Sequence, residues 1–133
     1  MSKYDPRKCG AKCDVCPLGP KGALRDWSQP WKPVPPEHHE GARAVLVSDM
    51  PAGEDVKWGH PFASPETGGP WNRVLRRMGE SRNDYGIVNV IACGSAGNAS
   101  GMYQRLNDKV KRLNKSRAAT GKSAVPHPED CCK

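Results

Sequence analysis

Six cysteines in a chain of 133 residues are the first candidates for chemistry. Cys13-x-x-Cys16 places two thiols on one tight turn, a spacing from which both side chains reach one metal ion or one cluster. Cys93 follows an apolar run in mid-chain, and Cys131 and Cys132 lie near the end, so folding can bring a third and a fourth thiolate to the first pair. Four soft sulfur ligands suit a tetrahedral zinc ion or a [4Fe–4S] cluster alike. Three further residues stand out for position. Asp49 ends an apolar run, where a carboxylate can meet a ligand, and the following Pro51-Ala52-Gly53 can offer the N–H groups of Ala52 and Gly53 to an anion or carbonyl. Phe62, the only Phe of the chain, sits in a Gly/Pro-rich loop, as a loop anchor or a stacking platform. Asn89 is an amide inside an apolar strand and must find partners or cost several kcal/mol, so it is either a satisfied structural amide or one that reads a base.

The elements that must position these groups are short. Residues 43–48 form an apolar, β-branched run and predict a buried strand feeding the loop at Asp49. Residues 53–69, punctuated by Gly59, Pro61, Pro65 and Gly68-Gly69, predict a loop. Pro70 then opens a helix with Trp71, Val74, Leu75 and Met78 on one stripe, Arg73, Arg76 and Arg77 outward, and Gly79 as terminator. Residues 86–92 predict a second buried strand. Strand, loop and helix, then strand is a βαβ unit, with a parallel sheet and ligands at the carboxyl ends of its strands. A second helix is expected over residues 101–117, with Met102, Leu106, Val110 and Leu113 on its apolar stripe and Arg105, Lys109 and Arg112 among the cations crowding the rest. Pro17 to Gly41 predicts an extended arm without regular structure, pinned by Trp27 and Trp31.

The length is that of one domain. The 14 Gly and 13 Pro make up about a fifth of the chain, against roughly 12% in average usage, so much of the backbone is loop and the apolar core needs reinforcement. The 21 Lys and Arg against 14 Asp and Glu give a net charge of +7, which favours a polyanionic partner such as nucleic acid over a role in scavenging acidic small molecules. No stretch approaches the roughly 18 apolar residues of a membrane span, and the N-terminus has no apolar signal core; the expectation is a cytoplasmic protein whose thiols stay reduced. Thr120-Gly121-Lys122-Ser123 imitates the end of a phosphate-binding loop, but it lacks the first Gly and follows a basic helix instead of a strand. His38, His39 and His60 have no metal-like spacing.

These motifs, in this order, resemble the iron–sulfur branch of the uracil-DNA glycosylase superfamily, families four and five. Cys13-x-x-Cys16-Pro17-Leu18 is similar to the family's N-terminal cysteine pair, and Val47 to Asp55 to its first active-site motif, GEAPG followed by acidic residues. Gly59-His60-Pro61-Phe62 is similar to the family's G-x-P-F. Val88-Asn89-Val90-Ile91-Ala92-Cys93 with Gly97-Asn98 resembles its TNVVKC…GN segment, and Glu129-x-x-Cys132 its closing cysteine. Ser48-Asp49-Met50 stands where Gly-Glu-Ala is usual, and the gap from Cys93 to the last cysteines is more than twice the family's, with the basic helix inserted.

The resemblance implies a three-layer α/β/α-type parallel sheet, incomplete at its C-terminal end, with a cysteine-bound cluster and long loops. It implies one domain: a cysteine-containing segment and Pro-rich strap (residues 1–42), a βαβ active-site core (43–98), and a basic helix with a cysteine-containing tail (99–133). It implies base-excision DNA repair: removal of uracil from DNA by cleavage of the N-glycosidic bond after base flipping. Asp49 takes the acidic position that positions or activates water, Phe62 stacks on the flipped uracil, Asn89 bonds its Watson–Crick edge, and Met50 and Pro51 belong to the substrate loop. Cys13, Cys16, Cys93 and Cys132 hold a [4Fe–4S] cluster, Cys132 being preferred to Cys131 for its spacing from Glu129. Arg73, Arg76, Arg77, Arg105, Lys109 and Arg112 face the DNA. The family also has a late loop whose His steadies the departing uracil anion; this sequence ends before such a loop, and Pro126-His127-Pro128 shares some of its look. A second chain completing the fold is one expectation. The alternatives are a non-catalytic iron–sulfur DNA-binding module of the same fold and an interaction protein stapled by zinc.

Overall fold

The computed structural model describes residues 4–63, 68–94 and 102–132; Gly97-Asn98 and the side chain of Met102 lie outside the described residues. Two strands, β1 (Ala44–Ser48) and β2 (Tyr85–Asn89), pair in parallel from Ala44 opposite Tyr85 to Ser48 opposite Asn89. The ladder runs on past the strands, because Val90 N–H donates to the Ser48 carbonyl and Ile91 N–H to that of Asp49, both at 2.9 Å. The architecture is mixed α/β, and the βαβ connection predicted from the sequence is present.

The Pro-rich segment, expected to be extended from Pro17, is corrected in its first part: residues 17–29 form successive turns, with Gly22 N–H on the Gly19 carbonyl and Leu24 N–H on that of Pro17. Only the part from residue 30 is extended, and it is not free of pairing. In Pro33-Val34-Pro35-Pro36-Glu37 only Val34 and Glu37 carry an N–H, and both spend it on the β2 segment: Val34 on the Ala92 carbonyl at 2.7 Å, Glu37 on that of Ile87 at 2.8 Å. Ile87 N–H returns a bond to Glu37 at 2.9 Å, making an antiparallel bridge. The β2 segment is thus central and β1 is an edge. Ile87 is fully buried, whereas Val45 and Val47 are 64% and 65% exposed, which corrects the expectation that both strands are buried. Among the described residues nothing pairs with the outer edge of β1.

The loop predicted over 53–69 is corrected by a helix, α1 (Gly53–Trp58). It forms because Asp55 accepts the otherwise orphaned N–H of Ala52 at 3.2 Å and Gly59, at φ 78°, closes the other end. Helix α2 (Gly68–Arg77) begins two residues before Pro70 and ends at Gly79, φ 71°. Its apolar stripe is narrower than predicted. Leu75 is buried and Trp71 stands edge-on to Tyr85 at 5.6 Å, but Val74 and Met78 face solvent. Helix α3 (Met102–Ala119) buries Leu106 and Val110. The tail folds back along it, with the Asn114 amide bonded to both N–H and C=O of Val125 (2.7 and 3.1 Å) and Arg117 Nε to the Ser123 carbonyl at 2.6 Å. A last helical turn, α4 (Pro128–Cys131), carries the final cysteines.

One core cluster joins Cys16, Leu18, Met50, Ile91, Cys93, Leu106, Val110 and Cys131. Trp31 packs against it, while Trp27 is exposed, so one of the two expected pins holds. Among the described residues no helix is long and apolar enough to cross a membrane.

Candidate functional site

The N-terminal turn, the segment after β2 and α4 bring five thiols together. Lys12 N–H donates to the Cys131 carbonyl at 2.8 Å, fastening the first cysteine turn to the last. That turn is tight. A Cβ on Gly19 would lie 1.9 Å from the Cys13 carbonyl oxygen, and one on Gly22 would lie 2.0 Å from that of Pro17, so both positions require glycine. Burial pushes the Cys16 thiol up to about 12 against the opposing effect of the Leu18 N–H aimed at its sulfur. Burial, reinforced by Cys132, pushes Cys93 up to about 12, with the Trp31 indole N–H pulling the other way. Cys13 rises to about 11 through burial and then the charges of Cys132 and Cys16. Burial also raises Cys131, whose thiol shares a hydrogen bond with that of Cys16. Cys132 is the thiol whose charge is felt by all four others. Cys9 is exposed at the end of a separate turn. Among the described residues no group of three or more His, Cys, Asp or Glu is arranged to hold a metal ion.

A second locus lies at the carboxyl ends of the strands. Asn89 belongs to the last registered pair, opposite Ser48, and Asp49 directly follows Ser48. Asp49 is solvent-exposed, and its Oδ1 accepts the Met50 N–H at 2.8 Å. The Nδ2 of Asn89 is buried and has no hydrogen-bond partner among the described residues. A buried amide donor left unpaired costs about 1–3 kcal/mol, a cost that a ligand's acceptor would remove. Met50 and Pro51 are buried, so what they present to a ligand is main chain. The Ala52 N–H, expected to be open to an anion, is instead taken by Asp55.

Phe62 belongs to a third, rigid piece. Its φ of 50° is in the left-handed region, an uncommon setting for a bulky side chain and one costing about 1–2 kcal/mol. Asp55, only 5% exposed, accepts the next N–H, that of Ala63, at 2.8 Å and so ties the loop to α1. From the other side Arg82 donates Nη1 to the Phe62 carbonyl at 3.2 Å and Nη2 to the Pro61 carbonyl. Arg82 Nε in turn meets both Glu37 oxygens, at 2.7 and 3.0 Å, and His39 adds a contact to Glu37 at 3.1 Å. Burial opposes the charge on Glu37, but Arg82 and His39 outweigh it and hold the carboxyl below its ordinary value. A cavity of about 330 Å³ opens beside Phe62, lined also by His60, Asn72 and Arg82. Asp49 and Asn89 are not among its described lining residues.

Arg73, Arg76 and Arg77 are exposed on α2, and Arg105 and Arg112 on α3, with Lys109 half-buried. His127 caps α4, its Nδ1 accepting the Glu129 N–H at 3.1 Å. Sequence reasoning missed Asp55 and Arg82 as the groups that shape the Phe62 loop. For Asp55 a signal existed, an acidic residue three positions after a would-be helix start. For Arg82 there was none, because its partners lie 20, 21 and 45 residues away. No protein-family model matches the chain, and no curated protein matches it.

Proposed function

We propose that this chain is a cytoplasmic DNA-repair protein of the iron–sulfur uracil-DNA glycosylase type, with the three-layer fold of that family, and that it removes uracil from DNA. The observation that carries the reading is the buried, unpartnered Nδ2 of Asn89 at the carboxyl end of a parallel strand pair, beside Asp49. This is where ligands bind in such sheets. An amide there donates to uracil O4 and accepts from N3–H, a pattern that cytosine does not present. Phe62 supplies the stacking surface. Asp49, exposed to solvent, holds the water that attacks C1′ and takes its proton as the C1′–N1 bond breaks. Uracil leaves as its anion and an abasic site remains.

Four buried thiols and the half-buried Cys132, two of the five on a Cys-x-x-Cys turn and two facing N–H groups, are a donor set suited to a cluster. A cluster spreads its thiolates over several irons, further apart than the ligands of a single ion, so the absence of a single-ion arrangement does not argue against it. Cys13, Cys16, Cys93 and Cys132 would hold it, Cys132 being the thiol electrostatically coupled to the others. Its contribution is structural: it staples the N-terminal turn, the β2 segment and α4. The exposed arginines of α2 and α3 engage phosphates.

The test is alkali-sensitive cleavage of an oligonucleotide containing one uracil by the purified 133-residue protein, with iron and zinc contents measured on the same sample. Cleavage at uracil, and none in the thymine control, supports the reading. No abasic sites above buffer in iron-loaded protein would overturn catalysis and favour a non-catalytic binding module; bound zinc without iron would favour the stapled interaction protein.

A further inference from the structure

We propose that Arg82 is the positioning residue for the Phe62 ring, set in turn by Glu37 of the strap; the proposal rests on the reading of Phe62 as the stacking surface. The direction of a side chain follows from the two peptide planes that flank its Cα. Arg82 grips both carbonyls concerned, those of Pro61 and Phe62, with the two ends of its guanidinium. Its third donor, Nε, is held by both oxygens of Glu37. Only a planar fork with donors in fixed directions serves three partners at once; a lysine ammonium is a point charge on a flexible stem. On the far side Gly68 backs directly against the same loop, where a Cβ would lie 2.1 Å from the Phe62 oxygen, so the loop has no room to relax that way.

The arrangement also gives the ring and the reading amide one reference. Asn89 ends β2, and Glu37 is bonded through its main chain to Ile87, two residues earlier on that strand. Arg82, by bridging Glu37 to the Phe62 loop, therefore transmits the position of β2 to the ring. Misplacement of a stacking group by about 1 Å costs up to about 100-fold in rate, so this linkage is expected to show in kcat more than in KM.

Phe62 is the only Phe in the chain, so uniform incorporation of 4-fluorophenylalanine gives one fluorine resonance that reports on this ring alone. In the cofactor-loaded protein, Arg82→Gln and Arg82→Lys should shift that line by several linewidths and broaden it, and Glu37→Gln should do so to a smaller extent. Arg43→Gln, which removes an exposed pair with Glu80, should leave it in place. On uracil-containing DNA, Arg82→Lys should lower kcat about 10- to 100-fold with KM little changed. Added to Phe62→Ala it should cause no further loss, because it acts through the ring. An unmoved fluorine line in folded Arg82→Gln, or losses that multiply in the double variant, would overturn the proposal. If Arg82→Gln does not fold, Arg82→Lys and Glu37→Gln decide the matter. If the wild-type chain excises no uracil, the functional reading falls while the fluorine line still decides whether Arg82 sets the ring.

Discussion

Around the cysteines the chain is held by apolar burial and close backbone approach: thiols sit among Leu18, Met50, Ile91, Leu106 and Val110, and Gly19 and Gly22 admit no side chain. Around Phe62 it is held by ionisable groups, with Asp55 on one side of the loop, Arg82 on the other and Glu37 behind. The two regions meet through Met50, which lies in the core cluster and opens the loop to α1. Such a division suits a site in which one part must be stable and the other must hold a shape. A thiol cage gains its stability from whatever the thiolates bind. A polar clamp fixes geometry without a ligand, provided its charges are intact.

The largest effects should come from breaking each region by its own means. Cys93→Ser is expected to abolish cofactor loading and to lower the melting temperature by at least about 10 °C, corresponding to roughly 3 kcal/mol. Asp55→Ala should leave the N–H groups of Ala52 and Ala63 unpaired and cost about 2–4 kcal/mol, with Asp55→Asn recovering part because one acceptor oxygen remains. The contrast lies in the metal analysis: iron content lost with Cys93→Ser and retained with Asp55→Ala. Retained iron in Cys93→Ser would remove this residue from the ligand set, and iron lost in both would show that the regions are not separable.

How far the sequence foretold this division follows from where each signal resides. The strand pair was legible because the β-branched runs at 43–48 and 86–92 and the helix between them are local patterns, and the parallel pairing follows from that order. The exposure of Val45 and Val47 was not, since an apolar run reads as buried whichever neighbours arrive to cover it. Helix α1 was hidden under Gly and Pro punctuation, its start depending on one hydrogen bond from Asp55. The gathering of Cys13 and Cys16 with Cys93 and the final pair was foreseen from ligand chemistry. The Arg82 clamp left no trace, because long-range bonds to carbonyls impose no residue type on the partner.

Titration should separate the regions at opposite ends of the pH scale. In the cofactor-free protein the core thiols hold their protons more tightly when folded, with Cys93 and Cys16 near 12 and Cys13 near 11 against an ordinary 9.0. The folded state therefore binds more protons than the unfolded one above that value. Its stability is fully present below pH 9.0 and lost as the pH climbs toward 11 and beyond. Glu37 has the opposite sign. Its carboxyl lies below 4.5, so its contribution is present above that value and lost as the pH falls through the lowered one. Thermal melts of stripped protein should weaken above pH 9.0, and the Phe62 fluorine line should move on acidification below pH 4.5 before the fold melts. A stripped protein equally stable across the alkaline range would show that the thiols are not buried together.

The smallest effect tests the proposed binding of nucleic acid and which region would make it. Helix α2 follows the Phe62 loop, whereas α3 packs Leu106 and Val110 into the thiol core, and both expose arginines. Each phosphate contact contributes about 0.9 to the slope of log affinity against log salt on duplex DNA. Arg76→Ala and Arg112→Ala should each reduce that slope by about one contact and leave stability within about 0.5 kcal/mol, since both side chains are exposed. Titrating a fluorescent duplex at several salt concentrations gives the comparison directly. A lower slope in both variants means that the duplex spans both helices. A lower slope in Arg112→Ala alone would place the DNA on the thiol side, away from the Phe62 loop, and would count against base flipping at this site even with binding intact.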